Sequence, residues 1–303
     1  MSIRPVKSLT KAQPTMEGAG VHLHRAFGFH DPKMLDPFLL FDDFRGDSPD
    51  MYRRGFPWHP HRGIETITYV LAGTVEHGDS LGNIGTLKGG DVQWMTAGSG
   101  IMHQEMPKGN AKGQMHGFQL WANLPAALKM TAPRYQDVPA AEIPEVTEDD
   151  GTVIRVIVGA SHGKSGPVDG IAADPQYLDI SVAPGRRKRF KVDTYRKTFA
   201  YVFAGAGKFA DASPARGVLL EKEVAGQELN IRDLSGNRTL VQFDAGDEIV
   251  VQAGPDGIRF LLVSGAPIEE PVAWHGPIVM NTQAEIRRAM QDLQNGTFIK
   301  PAH

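Results

Sequence analysis

Trp58-His59-Pro60-His61 is the segment whose residue types and spacing speak most directly of chemistry. On an extended strand, residues i and i+2 point to the same face, so both imidazoles can reach one point. His103-Gln104-Glu105 repeats that spacing and adds a carboxylate. If the two segments are neighbours in space, three His and one Glu converge on a single ion. Such a set leaves positions open on a six-coordinate metal, as activation of oxygen or of a substrate requires. Glu65 is the rival of Glu105. It keeps the strand parity of His59 and His61 but lies beyond Gly63, where the strand can kink. It would act as a ligand, as a partner orienting an imidazole from behind, or as a plain salt bridge.

The chain has no cysteine, which excludes disulfides, thiolate metal sites and cysteine nucleophiles. His and carboxylate must therefore hold any metal. Of eleven histidines, five fall between positions 59 and 116 and none between 163 and 274, which places a histidine-based site in the first half. His77 sits beside a turn and reads as a surface residue. His116 reads as a strand residue able to line the same cavity. His22, His24 and His30 precede no carboxylate half-site. Phe56, Trp58, Met102 and Met106 are candidates for an apolar wall, and His116 joins them as a candidate pocket residue; core packing is the simpler reading of the methionines. Asp42-Asp43 reads as strand-end hydrogen bonding. Arg186-Arg187-Lys188-Arg189 with Lys191 reads as a solvated strand face or a contact for an acidic partner.

The elements that must position these residues are short strands. Ile64 to Glu76 is β-branched with a turn at Gly73. Further strands are expected at Val92–Thr96, His116–Trp121, Val153–Val158, Tyr177–Val182, Thr198–Phe203, Leu240–Phe243, Glu248–Val251 and Ile258–Val263. Asp79-Ser80-Leu81-Gly82-Asn83 is turn chemistry. With 34 Gly and 21 Pro between strands, the pattern is that of all-β sandwiches or barrels. One amphipathic helix is expected at about 283–295, with Ile286, Met290 and Leu293 on its apolar side.

At roughly 150 residues per domain, 303 residues suggest two domains. The expected division is a first barrel with the metal site over residues 1–136, a linker at 137–152, a second barrel without metal ligands at 153–267, and a tail carrying the helix at 268–303. Val70-Leu71-Ala72-Gly73 weakly echoes Val202-Phe203-Ala204-Gly205, in keeping with a repeated fold. A net charge of −3 argues against direct nucleic-acid binding through phosphates. No run of about 18 apolar residues suggests a membrane helix, and the first residues lack a secretory pattern, so a cytoplasmic location is expected.

Several stretches resemble the pirin family, a branch of the cupin superfamily. They are Asp36-Pro37-Phe38-Leu39-Leu40-Phe41-Asp42-Asp43-Phe44, Phe56 to Thr66, Gly90 to Glu105, Gln119 to Pro125, and Gly276-Pro277-Ile278-Val279-Met280-Asn281-Thr282. The resemblance implies two cupin β-barrels of jelly-roll type, the first holding one metal. It implies His59, His61, His103 and Glu105 as ligands, and so favours Glu105 over Glu65. The implied metal is iron(II), although nickel, cobalt, manganese or zinc would suit the same donors. Two functions are implied. One is quercetin 2,3-dioxygenase activity, in which a flavonol is opened with O2 and carbon monoxide is released, with Glu105 as general base. The other is an iron-dependent, redox-sensitive binding protein that contacts a transcription factor without catalysis.

Overall fold

A computed structural model describes residues 2–29, 32–168, 172–209, 223–224, 227–228 and 235–300. His30 and His303 lie outside the described residues. The chain divides into two compact units.

The unit that carries the histidine segments takes Gln13–Glu142 and the chain from Ile268 onward. Its first strands are β1 (Gln13–Glu17), β2 (Val21–Phe27), β3 (Phe38–Gly46), β4 (Phe56–His61), β5 (Ile64–Ala72) and β6 (Thr74–Asp79). There follow β7 (Ile84–Lys88), β8 (Val92–Thr96), β9 (Ile101–Lys108), β10 (Met115–Asn123) and β11 (Arg134–Val138). Seven of them form one antiparallel sheet in the order β11-β8-β5-β10-β3-β2-β1, and four form a second in the order β4-β9-β6-β7. These are the open, packed sheets of a jelly-roll sandwich.

Local sequence explains the strands that matter most. Strand β9 alternates: Ile101, His103, Glu105 and Pro107 are buried, and Met102, Gln104 and Met106 are half-buried. One face of this strand therefore carries both candidate ligands. Strand β4 contains Pro57 and Pro60, neither of which can donate to a ladder. It sits at the sheet edge, where that loss is tolerated. The turn expected after β6 is closed by Asp79, whose Oδ1 accepts the backbone N–H groups of Leu81 and Asn83 at 2.9 and 3.0 Å.

The C-terminal part of this unit has a hairpin, β12 (Ala273–His275) with β13 (Ile278–Met280), and a helix, α1 (Gln283–Gln294). Thr282 caps α1: its hydroxyl accepts the Glu285 N–H and the Glu285 carboxylate accepts the Thr282 N–H. Ile286 and Ala289 are buried against Ile278, Met280 and Phe298.

The second unit takes Ile143–Pro267 and the start of the chain through Ala12. Val6–Lys11 pairs with Thr239–Phe243, at one edge of a nine-stranded sheet. This departs from the division read from composition, which kept the chain start in the first barrel and left the tail apart. Strand pairing over more than 200 positions leaves no mark on local composition. The region expected as a linker also carries ordered elements, with Arg134–Val138 running into its start and Glu145–Thr147 within it. Two expected strands near the end of this unit are one, Glu248–Gly265. The interior is filled by apolar side chains, among them Ile154, Leu178, Ile180, Val202, Phe260 and Leu262. The basic run lies on the strand Arg187–Lys191, where Lys188 pairs with Asp150 and Arg189 with Glu248. No helix among the described residues is long and apolar enough to cross a membrane.

Candidate metal centre

Strands β4 and β9 are antiparallel neighbours, with His59 opposite His103 and His61 opposite Ile101. The pairing brings the two histidine segments together. Ring centroids lie 4.8 Å apart for His59 and His61, 4.3 Å for His59 and His103, and 4.9 Å for His61 and His103. One nitrogen from each ring falls within 4.8 Å of the other two.

Their protonation follows from their partners. His59 Nδ1 lies 2.9 Å from the Pro57 carbonyl, and His61 Nδ1 lies 3.1 Å from the Pro277 carbonyl. A carbonyl only accepts, so each Nδ1 carries the hydrogen. Burial lowers the pKa of both rings, as it does for His103, and so favours the neutral form. Each Nε2 is then a bare lone pair, and the two lie 3.1 Å apart. His103 is fully buried, and neither of its ring nitrogens has a hydrogen-bond partner among the described residues. An unsatisfied buried polar group costs about 1–3 kcal/mol. Facing lone pairs and an unpartnered imidazole are the donor set a divalent ion would satisfy. The Nδ1–carbonyl bonds match the outer contacts that orient metal-binding histidines. The residues present fit a metal.

Glu105 follows His103 on the same face of β9 and is buried. Its carboxyl is not one of the three converging groups. Thr68 Oγ1 lies 3.1 Å from Glu105 Oε1 and 2.6 Å from Gln119 Oε1. Burial pushes the Glu105 carboxyl up to about 7. Glu65 is also buried and pushed up to about 7, but its hydrogen bond comes from the Thr96 hydroxyl at 2.7 Å. Among the described hydrogen bonds none joins Glu65 to an imidazole.

A cavity of about 450 Å³ opens over His59, His61 and Glu105. Leu23, Leu40, Phe44, Phe56, Val75 and Trp121 give it apolar walls. Phe56 lines it because three steps along β4 (59 to 56) match two along β9 (103 to 105), a bulge that turns Phe56 toward the histidine face. Trp58 and Met106 do not line it. They border a separate hollow with Glu76 and Gln104, since each stands one residue out of phase with the ligand face. His116 is turned aside as well, its Nε2 3.3 Å from Asp43 Oδ1. His77 is buried rather than on the surface: inward-facing positions of β6 include Val75 and His77, and its ring lies 5.4 Å from His103.

Sequence reasoning missed the polar side of the cavity. Arg25 donates to both oxygens of buried Asp42 at 2.8 and 2.7 Å, and to Glu17 at 2.8 Å. Trp121 sits edge-on to His61 at 5.1 Å. The signal for Arg25 was present in the Asp42-Asp43 pair within an apolar strand, which demands a buried cation.

The Pirin family model matches residues 20–122, and the model for the pirin C-terminal cupin domain matches residues 177–299. A pirin-like protein of Caulobacter vibrioides is 42% identical over 299 residues, covering 98% of this chain and 100% of that one. Pirin of Mus musculus is 38% identical over 282 residues, covering 92% and 88%. The crystal structure of a quercetin 2,3-dioxygenase from Acinetobacter baumannii is similar with a TM-score of 0.84 at 30% identity, covering 98% and 99%.

Proposed function

The chain belongs to the pirin family, and on that premise we propose that it is a metal-dependent oxygenase of the quercetin 2,3-dioxygenase type. A flavonol is its substrate, opened with O2 and with release of carbon monoxide. The observation that carries this reading is the convergence of three imidazole nitrogens, with two of the rings, His59 and His61, lining a largely apolar cavity. The similarity to the Acinetobacter dioxygenase supports the choice of substrate class. His59, His61 and His103 hold the metal, with Glu105 as fourth ligand or as base, and iron(II) is the metal proposed. When bound, the ion supplies Lewis acidity toward a substrate hydroxyl and, if redox-active, a means to engage dioxygen.

The chain's own residues do the rest. The apolar walls exclude water and accept a flat aromatic ring, with Trp121 and Phe56 offering faces to pack on. Glu105 takes the proton of the flavonol 3-hydroxyl as general base, since a carboxyl near 7 can hold a proton or release it at neutral pH. Thr68 fixes that proton's place. A hydroxyl has one hydrogen, so a protonated Glu105 donates to Thr68 Oγ1 while Thr68 donates to Gln119 Oε1.

The test is carbon monoxide release from quercetin under air by iron-loaded protein, beside His61→Ala. Carbon monoxide that depends on His61 is the expected result. None from fully metallated protein would overturn the reading and leave a metal-dependent partner-binding role in its place.

A further inference from the structure

His61 owes its tautomer to a residue 216 positions away, the Pro277 carbonyl in the turn between β12 and β13. That turn is held by a set of contacts to the residues just after His61. Arg62 and Ile278 form a parallel bridge, in which the Val279 N–H donates to the Arg62 carbonyl at 3.0 Å. The Arg62 guanidinium is buried. It donates to the Ser99 carbonyl at 2.7 Å, to Asp292 Oδ2 on α1 at 2.8 Å and to the Phe298 carbonyl at 3.0 Å, and it lies over the Phe298 ring at 4.2 Å. The Lys129 ammonium is buried as well. It donates to the Gly63 and Val279 carbonyls at 2.9 and 3.0 Å, and so ties the end of β4 to the hairpin a second time.

We infer that the C-terminal hairpin and helix are a positioning element of the metal centre: Pro277 holds the Nδ1–H of His61, and the Arg62–Asp292 pair holds the hairpin in place. The inference rests on the proposed metal site for its effect on affinity, though not for its effect on the tautomer. With the latch closed, His61 presents Nε2 as a lone pair. With the latch loosened, the ring is free to carry its hydrogen on Nε2 and turn that atom from a donor of electrons into a donor of hydrogen. Loss of an outer contact of this kind typically costs about 10–100-fold in metal affinity. Asp292 is thus a positioning residue, acting through Arg62.

The test uses the full-length protein and Asp292→Asn, which keeps the side-chain shape and removes the charge. In metal-free protein, long-range proton–nitrogen NMR correlations report which His61 nitrogen is protonated. The expected result is a single Nδ1–H tautomer in the parent protein and a mixture in Asp292→Asn. Titration with cobalt(II) alone then gives an affinity lower by about tenfold or more, while Asp292→Glu, which restores the ion pair, recovers most of it. If Asp292→Asn fails to fold, Pro277→Gly, at a half-buried position on the cavity wall, carries the same test by freeing the carbonyl's orientation. A folded variant with lower thermal stability but an unchanged tautomer and cobalt affinity would overturn the inference. Parent protein that binds no cobalt would instead overturn the metal-site reading, and the NMR comparison would still decide the tautomer.

Discussion

His59 Nε2 and His61 Nε2 stand 3.1 Å apart, each on a ring whose Nδ1 faces a backbone carbonyl. Two bare nitrogens held this close store repulsion that a shared cation relieves. Adding cobalt(II) or nickel(II) at 100 times its dissociation constant is expected to stabilise the fold by about 2.7 kcal/mol. For a chain of 303 residues unfolding as one, the melting temperature should rise by about 4 °C. Chelator should reverse the rise, and His103→Ala should abolish it and leave little metal by elemental analysis. A variant with parent-level metal content would remove His103 from the ligand set.

The Thr68 hydroxyl lies 3.1 Å from the carboxyl of the proposed base, Glu105. Thr68→Val keeps the shape and deletes the hydrogen bond. One such bond is worth about 1.4 kcal/mol, so kcat for quercetin should fall on the order of tenfold with bound metal unchanged. Steady-state kinetics beside metal analysis checks this, and an unchanged kcat would separate Thr68 from the proton's path.

Glu65 gives a pH dependence of known sign. Burial raises its folded pKa to about 7, above the ordinary value of 4.5. Between those values the folded protein binds the proton more tightly than the unfolded chain. Stability from this group is therefore full below about 4.5 and lost as pH rises through about 7. The loss amounts to about 3 kcal/mol. Glu65→Gln should accordingly gain stability over the parent at pH 8, with the gap closing toward pH 5. Urea unfolding at the two pH values measures it, and a constant gap would mean that Glu65 ionises without penalty.

Gly63 occupies the left-handed region at φ +77°, and a Cβ there would meet the Val279 carbonyl oxygen at 1.9 Å. Only glycine lets β13 approach the end of β4 this closely. Gly63→Ala should destabilise the protein by well over 1 kcal/mol. It should also weaken cobalt binding, because the collision falls on the hairpin that carries Pro277. Calorimetry of melting and of metal binding on the same sample would show both losses, and loss of stability alone would uncouple the hairpin from the site.

Periodicity and punctuation determined much of this protein by themselves. The all-β class followed from short β-branched runs between glycines and prolines. The helix Gln283–Gln294 followed from apolar spacing, and the shared face of His59 and His61 from the period of a strand. All of these are near-neighbour properties, and near-neighbour physics is written in the order of residues. The tertiary structure decided what depends on pairing at a distance. It set β4 beside β9 and so brought His103 to the other two histidines. It turned Phe56 into the cavity through a bulge, and it turned Trp58, Met106 and His116 away. It buried His77, placed Arg25 against Asp42, and carried Pro277 to His61 across 216 positions. Each of these depends on strand register or on a long-range contact. A shift of one residue in register would send every side chain of a strand to its opposite face.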